Sequence, residues 1–331
     1  MKRQLFYGIS AIAVLLAAVC VNAQVRSEVM TAGERCLTVL IPSLYFFSFL
    51  ASFCIRSGGL RAISNWFGCE GMLLASLLFS QIGGYPVGAQ LLHELRTSGE
   101  ISARQERDLL CVCMGCGPGF LLGAVCRGVP LRLSLWLMLS VSLPNLLLYV
   151  FVRSKAGGSS HAPSRISLVE SVTASADHAA SAMLKITAMV MVFAGVTGIL
   201  SGLQVLSFLP EKGRDLVRTV LEVSCITEVM RGGGGFPLAA ALLSFGGICV
   251  HMQAAAICEG NVNWGKLWLF RAIAAVLAYG ICFAGMKWFF RGAEPAALVE
   301  THAVLTTGSV LPGACLLVMS VMLLRESTRK T

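Results

Sequence analysis

Apolar residues run along this chain in blocks of about twenty, the length that spans a bilayer as a helix. Eight blocks are legible: Leu5–Ala23, Cys36–Cys54, Gly71–Leu95, Leu131–Val152, Ser181–Leu203, Phe236–Cys258, Leu267–Phe290 and Val304–Leu324. A ninth, Leu109–Val125, is interrupted by Gly115, Gly117, Pro118 and Gly119. These residues break helices, so it reads as a re-entrant or buried segment. The pattern predicts an all-α polytopic membrane protein with about eight transmembrane helices.

Composition agrees. Of 331 residues 56% are hydrophobic and 13% charged, with mean hydropathy +0.76. A soluble domain carries about 25% charged residues. The net charge of +9 calls for no nucleic-acid partner, because Lys and Arg flank membrane spans as a matter of topology. No nucleic-acid-binding motif is visible. Most of the thirteen cysteines lie inside apolar blocks, where they act as small hydrophobes. The cluster Cys111, Cys113, Cys116 and Cys126 lacks a second matching pair and a nearby histidine, so it predicts no metal site.

Two blocks carry one pattern, G-G-x-x-V-x-x-Q: Gly83-Gly84-Tyr85-Pro86-Val87-Gly88-Ala89-Gln90 and Gly246-Gly247-Ile248-Cys249-Val250-His251-Met252-Gln253. Ser80 and Ser244 precede them. Glycine pairs weaken helices, and non-helical backbone at membrane depth survives only where it is packed in protein or lines a wet cavity. Paired broken helices in two halves point to a transporter-type binding site.

Lys2 and Arg3 place the N-terminus inside, and the tail Arg325–Lys330 is also basic. Eight crossings satisfy both. The loop Arg153–Ala180 then falls inside, while Arg96–Arg107 and Glu211–Arg231 fall outside. The two glycine motifs then lie in halves of opposite orientation, an inverted repeat. The expected organisation is an N-terminal anchor and interfacial segment (1–35), a first repeat (36–152), a cytoplasmic linker (153–180), a second repeat (181–290), and a C-terminal helix with a basic tail (291–331). The first block also has the features of a signal peptide, ending in Val21-Asn22-Ala23. Its length favours an uncleaved anchor.

Ile41-Pro42-Ser43-Leu44, the Gly83–Ala89 motif, Gly117-Pro118-Gly119-Phe120 and Ser244–Gln253 resemble the sporulation integral membrane proteins of the YlbJ type, built from nucleoside-recognition "Gate" domains. The likeness covers roughly Met30 to Cys258. The cysteine-rich Cys111–Gly117 and the glycine run Gly232–Gly235 depart from that pattern. The resemblance implies two Gate-like halves and a protein of the sporulating cell's membranes, expected in the outer forespore membrane. It implies movement of dipicolinic acid toward the spore, and a scaffold shared with nucleoside transporters.

The expected binding residues are Ser80, Gln81, Gly83, Gly84, Tyr85, Gln90, Glu222, Ser244, Gly246, Gly247, His251 and Gln253. The glycines either free backbone N–H groups for an anion or let helices pack closely. Gln81, Gln90 and Gln253 bond either freed carbonyls or a solute. Ser80 and Ser244 either back-bond within their helices or face the solute. Tyr85 either stacks on a ring or simply follows the break. His251 either meets a carboxylate or is a satisfied buried histidine. Glu222 either binds a coupling ion or is a loop acid. Lys185, four residues inside a block, reads as a cation reaching the surface. Gly260–Lys266 has P-loop spacing but ends in Leu267 and opens an apolar block, so it is no phosphate site. No enzyme motif stands out, and no cofactor is implied.

The expected function is transport of a small organic anion. The alternatives are nucleoside or nucleobase transport, and a non-transporting assembly or signalling role. The expected partners are the lipid bilayer, a second copy of the chain and other sporulation membrane proteins.

Overall fold

A computed structural model describes residues 2–66, 71–126, 128–152, 167–231 and 235–290. The block Val304–Leu324 and most of the linker lie outside them. Among the described residues the structure is helical and contains no strand. Five stretches are long and apolar enough to cross a membrane: Asn22–Arg56, Leu131–Val152, Leu168–Gly202, Gly235–Ile257 and Trp264–Trp288.

The first is helix α2 (Asn22–Arg35) joined to α3 (Ile41–Arg56) by a wide π turn, Cys36–Leu40. Such turns widen a helix where a cavity or site lies. It packs along α10 (Leu168–Gly202). α1 (Lys2–Cys20) precedes it, touches the body lightly and exposes apolar side chains all round. That is the surface a lipid-facing helix presents.

α15 (Trp264–Trp288) serves as a depth ruler. From Lys266 to Gly285 it measures about 28 Å, close to the apolar thickness of a bilayer. Lys266 pairs with Asp108 at 2.5 Å. Arg271 bonds Met114 and Asn145. Trp136 donates to the Cys282 carbonyl at 3.4 Å. The chain from Asp108 through Met114 to α9 (Leu131–Val152) therefore travels from one end of α15 to the other. Leu109–Val125 is a buried traverse rather than a re-entrant segment. It is unwound at 111–117, and then forms the short helix α8 (Pro118–Phe120) and a π turn, Leu121–Val125.

The block Gly71–Leu95, expected to cross, does not. It forms α5 (Gly71–Gly83) and α6 (Tyr85–Thr97), which double back at Gly84. A Cβ on Gly88 would lie 2.9 Å from the Cβ of Ser80, eight residues earlier, where a continuous helix would separate them by about 12 Å. Both ends of the hairpin are held by α4 (Gly59–Ser64). Gly71 abuts the Ser64 carbonyl, and Arg61 forms a bidentate pair with Glu100 at 2.5 and 2.6 Å.

This re-entry corrects the topology. The segment Arg96–Arg107, expected outside, lies with the start of α10, on the same side as the central linker. Glu94 meets His178 at 2.7 Å, and Arg96 meets Glu259 at 3.1 Å. We call this end of the bundle the near face. The far face carries Val21 against Gly202. A helix α7 (Ala103–Leu110), closed by a Ser102/Gln105 capping box, finishes the near face.

On the far side α11 (Glu211–Leu221) and α12 (Ile226–Arg231) form a second, smaller hairpin. Arg218 of one faces Glu228 of the other at 3.8 Å. α13 (Gly235–Phe245) and α14 (Gly247–Ile257) then cross toward the near face, broken at Gly246.

Candidate functional site

The glycine pairs act as conformational breaks. Gly84 has φ +92°, Gly246 φ +93° and Gly247 φ +74°, a region that side-chain-bearing residues rarely enter. The two breaks meet. Tyr85 places its ring edge 3.3 Å from where a Cβ on Gly246 would sit. Each break also faces a further backbone. A Cβ on Gly84 would meet Gly117 N at 3.1 Å, and one on Gly247 would meet Val223 N at 3.1 Å. Four irregular segments thus converge: hairpin tip 83–85, the unwound 111–117, hairpin tip 222–225 and the break 245–247.

A break in a helix orphans carbonyls. Leu242 still accepts from Gly246 N at 2.9 Å. The next three carbonyls are capped by side chains from three places. Tyr85 Oη donates to Leu243 O in a short bond. Arg271 donates to Ser244 O at 3.3 Å. His251 Nε2 lies 3.0 Å from Phe245 O and must carry the proton there, leaving Nδ1 unpartnered.

Arg271 is fully buried and faces no carboxylate among the described residues. It donates to Met114 O at 2.6 Å and to Asn145 Oδ1 at 2.6 Å, and its Nε has no partner among the described residues. Asn145 Nδ2 continues to Gln81 Oε1 at 2.9 Å, and Gln81 Nε2 to Val112 O at 3.3 Å. One polar chain therefore stitches α15, α9, α5 and the unwound segment together, with Arg271 about 7.5 Å along α15 from Lys266. Arg271 and Asn145 were not among the residues expected from sequence. The signal existed, since each is a lone strongly polar residue inside an apolar block, and such residues mark function or a partner.

Between the four segments lies a cavity of about 30 Å³, lined by Gly84, Tyr85, Gly117, Glu222, Ser224 and Gln253 among others. That volume holds about one water. Of the expected residues, Gly84, Tyr85, Glu222 and Gln253 line it. The Glu222 carboxylate is tied to its own tip: it accepts from Ser224 N at 3.0 Å and from Ser224 Oγ, and it faces Arg35 at 3.5 Å. Gly83, Gly246 and Gly247 shape the walls without lining the space. Ser80 back-bonds to Leu77 O at 2.7 Å, and Gln81 serves the polar chain. The Ser244 hydroxyl has no partner. His251 is turned to Phe245, as in the buried-histidine reading. Gln90 faces elsewhere, into a second space of about 340 Å³ at the near face.

No cluster of His, Cys, Asp or Glu able to hold a metal occurs among the described residues. Cys111, Cys113 and Cys116 are buried free thiols. No family model, curated protein or solved structure matches this chain.

Proposed function

We propose that the chain is a multi-pass membrane transporter whose solute binds where the four segments meet. The observation that carries this reading is the convergence itself. Three broken or re-entrant backbones and a capped hairpin tip surround one cavity at mid-depth, the place where irregular backbone lines a path. The cavity admits about one water, so this conformation is closed around its site.

An anionic solute rests on the buried cation behind the break and not on the cavity wall, whose one charged side chain among the described residues is Glu222. Glu222 is offset by Arg35, whereas the buried Arg271 beside the breaks has no acid against it. Dipicolinate is the candidate suggested by the motif resemblance. Nucleosides are the second reading, favoured by Gln253 and Ser224 in the wall.

The eight-span inverted repeat takes a new form in this reading. Each half runs as a long helix, a hairpin, a broken traverse and a straight helix: α2–α3, α5–α6, 109–125 and α9, then α10, α11–α12, α13–α14 and α15. The hairpin tip at Gly84 then corresponds to the tip at Glu222, and the break at Gly117 to that at Gly246. The two G-G-x-x-V-x-x-Q motifs are neighbours in space rather than symmetry mates. With α1 this makes seven crossings among the described residues, with the near face cytoplasmic; the expected span Val304–Leu324 lies outside them.

The test is uptake into proteoliposomes of labelled dipicolinate and labelled uridine. Saturable dipicolinate uptake that uridine does not compete supports the anion reading, and the reverse supports the nucleoside reading. No uptake of either, with protein folded and inserted, favours the assembly role.

A further inference from the structure

Two spaces are stacked along the same three helices. α6 gives Tyr85 to the central cavity and Gln90 to the 340 Å³ chamber at the near face. α10 gives Ile186 and Val190 to the first, Ser181, Ala182 and Lys185 to the second. α14 gives Gln253 to the first and Ile257 to the second. The nearest members of the two sets are Tyr85 and Gln90 on α6, Lys185 and Ile186 on α10, and Gln253 and Ile257 on α14, about 7.5, 1.5 and 6 Å of rise apart.

The layer between carries both motif glutamines, one at each surface. Gln90 is 4% exposed and lines the chamber, and its Oε1 has no partner among the described residues. Its Nε2 lies 3.4 Å from His178 Nδ1. Gln253, equally buried, lines the cavity and holds its amide to Cys249 Sγ at 3.3 Å, a weak acceptor. A buried amide with an unmade or weak bond is costly and ready to exchange it for a solute's. The layer is otherwise thin, and α6 and α10 touch only briefly.

We propose that the chamber is an entry station for solute and that Gln90 and Gln253 form the two sides of the closed door between it and the central cavity. The station takes a small water-soluble solute with hydrogen-bonding groups: an amide N–H or a hydroxyl to donate to the Gln90 oxygen, with Lys185 in the chamber wall to meet a carboxylate. This inference rests on the transport reading, and it assigns the route: solute reaches the centre from the near face.

The test follows the path without knowing the solute. Ser181→Cys in the chamber and Val190→Cys at the cavity are made in a background with the native cysteines replaced. Each is exposed to a membrane-impermeant methanethiosulfonate from one side of oriented vesicles at a time. Both should react from the near face only, with Ser181→Cys the faster. Adding Ala182→Trp, which fills the chamber, should abolish reaction at Val190→Cys. Reaction at Val190→Cys from the far face, equal reaction with the chamber filled, or no reaction while Ser181→Cys reacts would overturn the proposal. If the cysteine background does not fold, hydroxyl-radical labelling of Tyr85 with and without Ala182→Trp reads the same path. Protection of Tyr85 by the plug is expected, and its absence overturns the route. An intact labelling pattern without uptake of dipicolinate or uridine rejects those solutes and leaves the route standing. Uptake with the wrong labelling pattern does the opposite.

Discussion

Arg271 and Asn145 meet at 2.6 Å inside the bundle, with the guanidinium completing its bonds on two main-chain carbonyls rather than on an acid. Removing the guanidinium strands the acceptors at Met114, Ser244 and Asn145. Each buried orphan costs about 1–3 kcal/mol. Arg271→Leu should therefore lower Tm in detergent substantially. Asn145→Leu should do so less, since it orphans one donor and Gln81. An unchanged Tm in Arg271→Leu would show that the polar chain does not hold the bundle.

Gly84→Ala and Gly246→Ala each force a side chain into a left-handed backbone at a crowded place. The conformational cost alone is about 1–2 kcal/mol. Gly84→Ala also presses on Gly117, so it should cost more than Gly99→Ala, where φ is +78° but nothing lies within 4 Å. Gly280→Ala, in open space on a helix, should be neutral or stabilising by up to about 1 kcal/mol. Thermal denaturation of the four variants checks the order, and equal effects at Gly84 and Gly99 would remove the packing argument.

Tyr85→Phe and His251→Phe each uncap one carbonyl of the break. The expected loss is about 1–3 kcal/mol in either case. Uptake per folded molecule should fall in Tyr85→Ala, which removes the ring that lines the cavity, and hold in His251→Phe. Loss of uptake in a fully stable His251→Phe protein would move the histidine into the site.

At the near face Glu106 is fully buried; it accepts from Asn261, and the Arg96 guanidinium and the His93 ring lie 2.9 and 3.5 Å from its carboxylate oxygens. Burial pushes its carboxyl up. The bonds from His93 and Asn261 and the charge of Arg96 outweigh that and hold it below the ordinary value near 4.5. A lowered folded pKa means the stabilisation is complete above that ordinary value and is lost as pH falls through the lowered one. The clasp between 102–108 and 258–263 should open on acidification, seen as faster amide exchange in α7. Glu106→Gln should remove the pH dependence. Retention of it would place the titrating group elsewhere.

The apolar blocks made the helical membrane character legible, and the glycine pairs marked where helices stop. Hydropathy could not separate a crossing from a doubled-back segment. Gly71–Leu95 is apolar enough for a span, and only the packing of Ser80 against Gly88 reveals the hairpin. Conversely, Leu109–Val125 reads poorly as a span because its unwound carbonyls are met by Arg271 and Gln81, partners distant in sequence. The shared motif was visible as sequence, but whether its copies are symmetric or adjacent depends on tertiary contacts such as Tyr85 with Leu243. Arg271, well inside the apolar block Leu267–Phe290, is the strongest single clue in the sequence to the polar chain, but its partners Met114, Asn145 and Ser244 are distant in sequence.

The hairpin α5–α6 enters and leaves by one face, so it contributes nothing to the parity of the chain. Deleting or inserting it would leave the sidedness of every later helix intact. During synthesis its two arms, each about 20 Å long, are too short to be threaded as independent spans.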